Sequence, residues 1–222
     1  ESALKFKDKL GQAVCLQLIG LSYYYQTHFL KGLEYLSKAL LLAEKIDNAK
    51  LISSVLNNQG IIYDNLGNYQ RALDVYLRSL EIDRKNADQQ YVAHSLLNIG
   101  ELYHRKGNQL KAIEYFKESL SYYRECTDND GISLALNNLL ITSALSSEEE
   151  ILYLNELESR VDKIIKIDIK IMAYGTIALI YSKLNQYDKA LLFINVCIEL
   201  SNSQGSAFLI FSNRLKRVEI FL

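Results

Sequence analysis

The chain has 222 residues, 49% of them apolar and 23% charged, with a formal net charge of −1. That near balance offers no basic excess to attract DNA, RNA or an anionic membrane surface, and no apolar run reaches the ~18 residues a membrane-spanning helix needs. Proline and tryptophan are both absent, which favours helices, because an interior proline costs a helix ~3 kcal/mol.

The chain opens Glu1-Ser2-Ala3, with no initiator methionine and no signal-peptide pattern, and is expected to be a piece of a longer protein. Residues 1–7 align with the end of a second helix of a preceding unit. From there a pattern recurs every 40 residues. Leu16, Leu56 and Leu96 each stand four residues before Gly20, Gly60 and Gly100. Tyr23, Tyr63 and Tyr103 follow each glycine by three, and Gly32, Ala72 and Ala112 follow it by twelve. Such a period marks a stacked-hairpin array.

The first unit spans about residues 9–47 and lacks the turn glycine. The second, 48–87, and the third, 88–127, are the clearest. In each, a first helix ends at Gly67-Asn68 or Gly107-Asn108, glycine taking the left-handed C-cap and asparagine capping the next helix. Small residues at 60, 72, 100 and 112 let the paired helices approach closely. The fourth unit, 128–166, is degenerate, with Leu140 at the glycine position and Ser143 at the tyrosine position. A helix restarts at Ser146, which precedes Ser147 and the acids Glu148, Glu149 and Glu150. The fifth, 167–204, regains register at Tyr174, Ala178, Tyr181, Ala190 and Ile194, with Asn185 at the turn. Residues 205–222, apolar at Phe208, Phe211, Leu215, Val218 and Leu222, are expected to form a capping or truncated helix. The expectation is one all-α domain over residues 1–222, a right-handed superhelical solenoid of about five antiparallel hairpins plus that helix.

Leu56, Gly60, Tyr63, Ala72, Tyr76 and Ser79 in the second unit, and Leu96, Gly100, Tyr103, Ala112, Phe116 and Ser119 in the third, resemble the tetratricopeptide repeat pattern. Two features depart from it. The unit is 40 residues rather than ~34, and Arg84 and Arg124 stand where the family usually has proline. Both features occur in the 40-residue subclass of kinesin light chains, Rap-type peptide receptors and bacterial sensor modules, and the run from Asn57 to Leu73 most resembles the last.

Stacked hairpins line a concave face with their first helices. Helical spacing puts Ser54, Asn58, Ile61 and Asn65 on that face, then His94, Asn98, Glu101 and Arg105, then Leu134, Asn138, Ile141 and Leu145. The first unit contributes Val14, Leu18, Leu21 and Tyr25, with Tyr25 as an aromatic wall, and the fifth Met172, Thr176, Leu179 and Lys183. Asn58, Asn98 and Asn138 recur at one position, and a carboxamide both donates and accepts hydrogen bonds. The family resemblance implies that they grip a peptide backbone; the other reading has them bridging repeats or facing water. Asn57 and Asn137 are weaker candidates. Tyr23, Tyr63, Tyr103 and Tyr181 are expected in the hairpin core.

Glu101 and Arg105, four apart, are expected to pair along the helix surface, while His94 and His104 are spaced for different faces rather than for a metal. With no convergent catalytic set and every glycine taken by packing or a turn, no enzyme activity, cofactor or metal is expected. Cys15, Cys126 and Cys197 are read as buried reduced thiols. That favours the cytoplasm, with a periplasmic sensor segment as the alternative. The expected role is a protein- or peptide-binding sensory or regulatory module of a larger, bacterial signalling protein, without direct nucleic-acid or membrane contact. The alternatives are a Rap-like receptor for a short signalling peptide, or an oligomerisation module that forms a homodimer through the C-terminal helix.

Overall fold

The computed structural model describes residues 9–204; the expected helix at 205–222 and the segment 1–7 lie outside the described residues. The chain divides between Tyr115 and Phe116 into two compact units. The first holds α1 (Lys9–Tyr25), α2 (Phe29–Lys45), α3 (Ala49–Asn65), α4 (Tyr69–Lys85), α5 (Gln89–Arg105) and the start of α6 (Gln109–Glu125). The second holds the rest of α6, α7 (Asn129–Leu140), α8 (Ser147–Arg160), a 3-10 turn at Val161–Lys163, α9 (Ile167–Lys183) and α10 (Tyr187–Gln204). Among the described residues there is no strand, and no described helix is long and apolar enough to cross a membrane.

One turn, repeated, sets the geometry. Thr27, Asp47, Gly67, Ala87, Gly107 and Thr127 follow one another at intervals of 20 residues, and all six have positive φ. At the Gly67 turn, the Gly67 N–H donates to the Asp64 carbonyl at 2.9 Å and the Asn68 N–H to the Tyr63 carbonyl at 2.8 Å. This is the Schellman arrangement, which satisfies carbonyls left open at the helix end. The next residue but one then begins a new helix, capped where its side chain allows. Asn48 accepts from the Leu51 N–H at 3.0 Å, Asn108 from the Lys111 N–H at 3.2 Å and Asp128 from the Gly131 N–H at 3.0 Å. The 40-residue unit is therefore two equal halves of a 17-residue helix and three turn residues. Glycine supplies the left-handed residue at 67 and 107; threonine, aspartate and alanine do so elsewhere.

In the first unit the core forms where the repeat places leucine and alanine: Leu56, Leu96 and Ala72 are all fully buried. Gly60 receives the buried Tyr76 ring face-on, so that a methyl at 60 would run into that ring. At Gly20 the same methyl would lie 2.8 Å from Leu36 Cγ. The tyrosine after each of these glycines lies at the hairpin edge rather than in the core. Tyr23, Tyr63 and Tyr103 are half-buried. Tyr23 stacks on Tyr35 at 5.3 Å and Tyr103 on Tyr115 at 5.5 Å. A cation eight residues on covers each ring: Lys31 over Tyr23, Arg71 over Tyr63 and Lys111 over Tyr103.

The second unit repeats this edge, with Tyr181 stacked on Phe193 at 5.7 Å beneath Lys189, although here the tyrosine is buried. Gly131 is closed over by the buried Tyr123 ring. The degenerate fourth repeat has a visible consequence. With Leu140 in place of the close-packing glycine, α7 stops at Leu140 after 12 residues, so Ile141 and Leu145, expected on its groove stripe, lie beyond the helix. Ser146 restarts the chain with a reciprocal capping box to Glu149. Of the three cysteines only Cys197 is buried, and burial pushes its thiol up to about 12. Cys15 is exposed and Cys126 half-buried, contrary to the expectation of three buried thiols, because Cys15 stands on a partly covered face of α1 and Cys126 in the turn just after α6.

Candidate functional site

Within the first unit, α3 and α5 run side by side and flank an open cavity of about 440 Å³ lined by Ser54, Asn57, Asn58, Ile61, Gln90, Tyr91, His94 and Asn98. Residues at i, i+4 and i+7 of one helix share a face, which is why Ser54, Asn58 and Ile61 from α3 meet His94 and Asn98 from α5. Apart from Ile61 and the Tyr91 ring the lining is hydrogen-bonding, and no Lys, Arg, Asp or Glu contributes to it. Ser54 accepts from Gln17 Nε2 at 2.7 Å, which fixes it from α1. At one end Lys50 pairs with Asp88 at 2.7 Å and lies 5.6 Å from the Tyr91 ring centre.

The three register-matched asparagines occupy three different environments. Asn58 lines the cavity, half-buried, and its carboxamide makes no hydrogen bond among the described residues. Asn98, also half-buried, donates through Nδ2 to Asn57 Oδ1 at 3.0 Å. Asn138 belongs to the second unit and is only 4% exposed. There Asn137 Nδ2 donates to Asn138 Oδ1 at 3.4 Å, and the Thr176 hydroxyl donates to Asn137 Oδ1. The short α7 leaves Asn138 enclosed instead of on an open stripe.

Asn65, Glu101 and Arg105 are not brought to the cavity. Asn65 is exposed and turns back on its own helix, donating to the Ile61 carbonyl at 2.7 Å. Arg105 does not take up the expected partner role along its helix: its guanidinium forms an ion pair with Asp64 of α3. Asp64 sits in the last turn of α3, one hairpin earlier, where its side chain is 1% exposed. Burial holds its carboxyl above the ordinary aspartate value of 3.8, the Arg105 charge and hydrogen bond offsetting only part of that push. Gln90 and Tyr91 were not anticipated. Both lie within one turn before His94, on the face that reaches α3.

Beneath the cavity lies a buried polar cluster. Asn57 Nδ2 donates to Ser79 Oγ at 2.8 Å and to Ser95 Oγ at 3.1 Å. Ser53 and Ser79 share a hydrogen bond of 2.9 Å, and the Ser95 hydroxyl donates to Asp83 Oδ2 at 2.8 Å. Asp83 is 3% exposed and, among the described residues, pairs with no cation. Burial raises its carboxyl above the ordinary value, the serine hydroxyls pull it back in part, and Asp88 adds to the rise. Among the described residues no group of three or more His, Cys, Asp and Glu converges as a metal site.

Helical hairpins of equal halves, first helices lining a polar cavity and glycine–tyrosine closures define a helical-repeat protein. Tetratricopeptide repeat models match residues 12–85 and 51–125, and a further one matches residues 173–204. The chain belongs to the tetratricopeptide repeat family. No curated protein sequence matches it. Among solved structures it is similar to BtubC from P. vanneervenii, at 14% identity and a TM-score of 0.74, covering 92% of this chain and 87% of that one. It is also similar to a signal-transduction ATPase with a tetratricopeptide repeat sensor from Pyrococcus horikoshii, at 16% identity and a TM-score of 0.74, covering 98% of this chain and 34% of that one. A third is the Rap conjugation gene regulator of the plasmid pLS20 in complex with the Phr* peptide, at 15% identity and a TM-score of 0.70, covering 90% and 56%. At these identities the likeness establishes the fold. The chain spans about half of that Rap regulator and a third of the ATPase.

Proposed function

We propose that this chain is a peptide- or protein-binding module without catalysis of its own, serving as the sensory or regulatory part of a larger cytoplasmic signalling protein. The observation that carries the reading is the polar cavity between α3 and α5, free of Lys, Arg, Asp and Glu in its lining, in which Asn58 and Asn98 offer carboxamide groups to an occupant. A peptide backbone presents one N–H and one C=O per residue, and a carboxamide matches both. Beside the cavity, α1 leaves Val14, Leu18 and Tyr25 exposed at 37%, 60% and 79%, an apolar shelf for side chains next to polar contacts for the main chain.

Similarity in fold to a Rap regulator solved with a peptide supports a short peptide as one form of the occupant. Similarity to an ATPase whose repeats are described as a sensor supports a place inside a larger signalling chain. The experiment is a selection of displayed random dodecapeptides on the whole chain, each recovered peptide then being measured against an Asn58→Ala/Asn98→Ala double variant. Peptides that bind the chain and lose tenfold or more on the double variant are expected. Peptides that bind both equally would remove the cavity from the reading.

A further inference from the structure

We infer that Asp83, which does not line the cavity, fixes the direction in which Asn98 offers its carboxamide, and thereby makes the cavity select a neutral amide-bearing group over an acid. The inference rests on the peptide-binding reading above. Its basis is the order of donors and acceptors through the buried cluster.

A hydroxyl has one proton to give. Ser95 gives its proton to Asp83 Oδ2 at 2.8 Å, a charge-assisted bond stronger than the alternative toward Asn57 Oδ1 at 3.5 Å. Toward Asn57, then, Ser95 acts as an acceptor. Asn57 must turn its amino group inward, and does so, donating to Ser95 at 3.1 Å and Ser79 at 2.8 Å. Both its N–H bonds are thereby used, and its Oδ1 faces outward. Asn98 meets that oxygen with Nδ2 at 3.0 Å. What Asn98 has left for the cavity is its carbonyl oxygen and one N–H. The negative charge at Asp83 is thus relayed through Ser95 and Asn57 into the orientation of Asn98.

Two consequences follow for a ligand. The exposed Asn98 oxygen needs a donor, which a peptide N–H or a side-chain carboxamide supplies and a carboxylate does not. No lysine or arginine is among the lining residues to compensate an acid, and Lys50 at the end of the cavity is already paired with Asp88, while the buried Asp83 charge opposes one. Neutralising Asp83 breaks the order, because an amide or protonated acid at 83 can donate to Ser95 and free the Ser95 proton for Asn57 Oδ1. Asn57 is then able to flip, and Asn98 to present two N–H groups instead of an oxygen.

The test uses a positional-scanning octapeptide library at pH 8, captured on the whole chain and read by mass spectrometry, with Asp83→Asn and Ser95→Ala as variants. For the native chain at least one position is expected to enrich Asn and Gln over Asp and Glu by about tenfold. Both variants are expected to narrow that ratio to threefold or less. In the native protein, one Asn98 and both Asn57 carboxamide protons are expected to be protected from solvent exchange by NMR, and Asp83→Asn should shift both side-chain resonances. Enrichment of acids by the native chain overturns the inference, as does an unchanged ratio and unmoved resonances in the variants, and either result leaves the peptide-binding reading in place. Should the variants not fold, unprotected Asn57 protons in the native protein overturn it. A library from which the native chain captures nothing overturns both.

Discussion

Asn98 Nδ2 donates to Asn57 Oδ1 at 3.0 Å across 41 residues of sequence, joining the first helices of consecutive hairpins at the floor of the cavity. Asn57 is the centre of this arrangement, being 9% exposed and bonded also to Ser79 and Ser95. Asn57→Ala is therefore expected to strand several buried polar groups and to lower stability by about 1–3 kcal/mol. Asn58→Ala, which breaks no hydrogen bond, should stay within about 0.5 kcal/mol. Urea melts followed by circular dichroism separate the two, and equal losses would show that Asn57 is not a structural junction.

The buried acids predict a dependence on pH. Asp83 and Asp64 both have carboxyls raised by burial above the ordinary aspartate value of 3.8. Between that value and the raised one, the folded chain holds more protons than the unfolded chain, so stability falls as pH rises through the window and is greatest below it. The exposed Glu34 and the half-buried Glu149, lowered by hydrogen bonds to Lys38 and Lys117, act in the opposite sense. The informative quantity is accordingly the difference between the native chain and Asp83→Asn. The thermal midpoint of Asp83→Asn is expected to gain on that of the native chain as pH rises above 4; parallel curves would mean that Asp83 titrates as it does when unfolded.

Gly60 and Ala72 were legible because each acts at a fixed offset within one hairpin, so sequence period and spatial period coincide; Tyr63 keeps the offset but lies half-buried at the hairpin edge, where a core position was expected. The same holds for the Gly67 and Gly107 turns. The role of Asn57 was not legible, since its partners Ser79 and Ser95 lie 22 and 38 residues away and serine has no pattern of its own. Arg105 was misassigned for the same reason: an i,i+4 acid is visible in the sequence, whereas Asp64 becomes its neighbour only when α3 and α5 stack. Asn138 shares its register with Asn58 and Asn98, but register fixes a helix face and does not fix what covers it.

Ala87 and Thr127 hold φ of 51° and 55°, values at which a Cβ is unfavourable and β-branching more so. Closure of the 20-residue half-unit imposes the conformation on whatever residue stands there. Thr127→Gly is expected to raise stability by about 0.5–1 kcal/mol, relief of strain outweighing the entropy glycine adds to the unfolded chain. Gly107→Thr should cost at least as much. A Thr127→Gly chain that melts below the native one would show that the threonine side chain contributes contacts exceeding the strain.

The contact between Gly60 and Tyr76 is tighter than those at Gly20 and Gly32, and it tests whether the repeat glycine serves packing rather than flexibility. Gly60 lies inside α3, where alanine is the better helix former by about 1 kcal/mol. On propensity alone Gly60→Ala would stabilise. Yet the added methyl meets the face of a ring that is 1% exposed and has no room to retreat, and overpacking of this kind costs about 1–3 kcal/mol. The net expectation is a loss of about 0–2 kcal/mol. The double variant Gly60→Ala/Tyr76→Leu separates the causes. Tyr76→Leu alone should cost about 2 kcal/mol by leaving a void, and adding Gly60→Ala to it should recover part of that loss, since the methyl then fills space and improves the helix. A non-additive coupling of 1 kcal/mol or more in a thermodynamic cycle is the signature, and additive costs would show that position 60 requires glycine for a reason other than Tyr76.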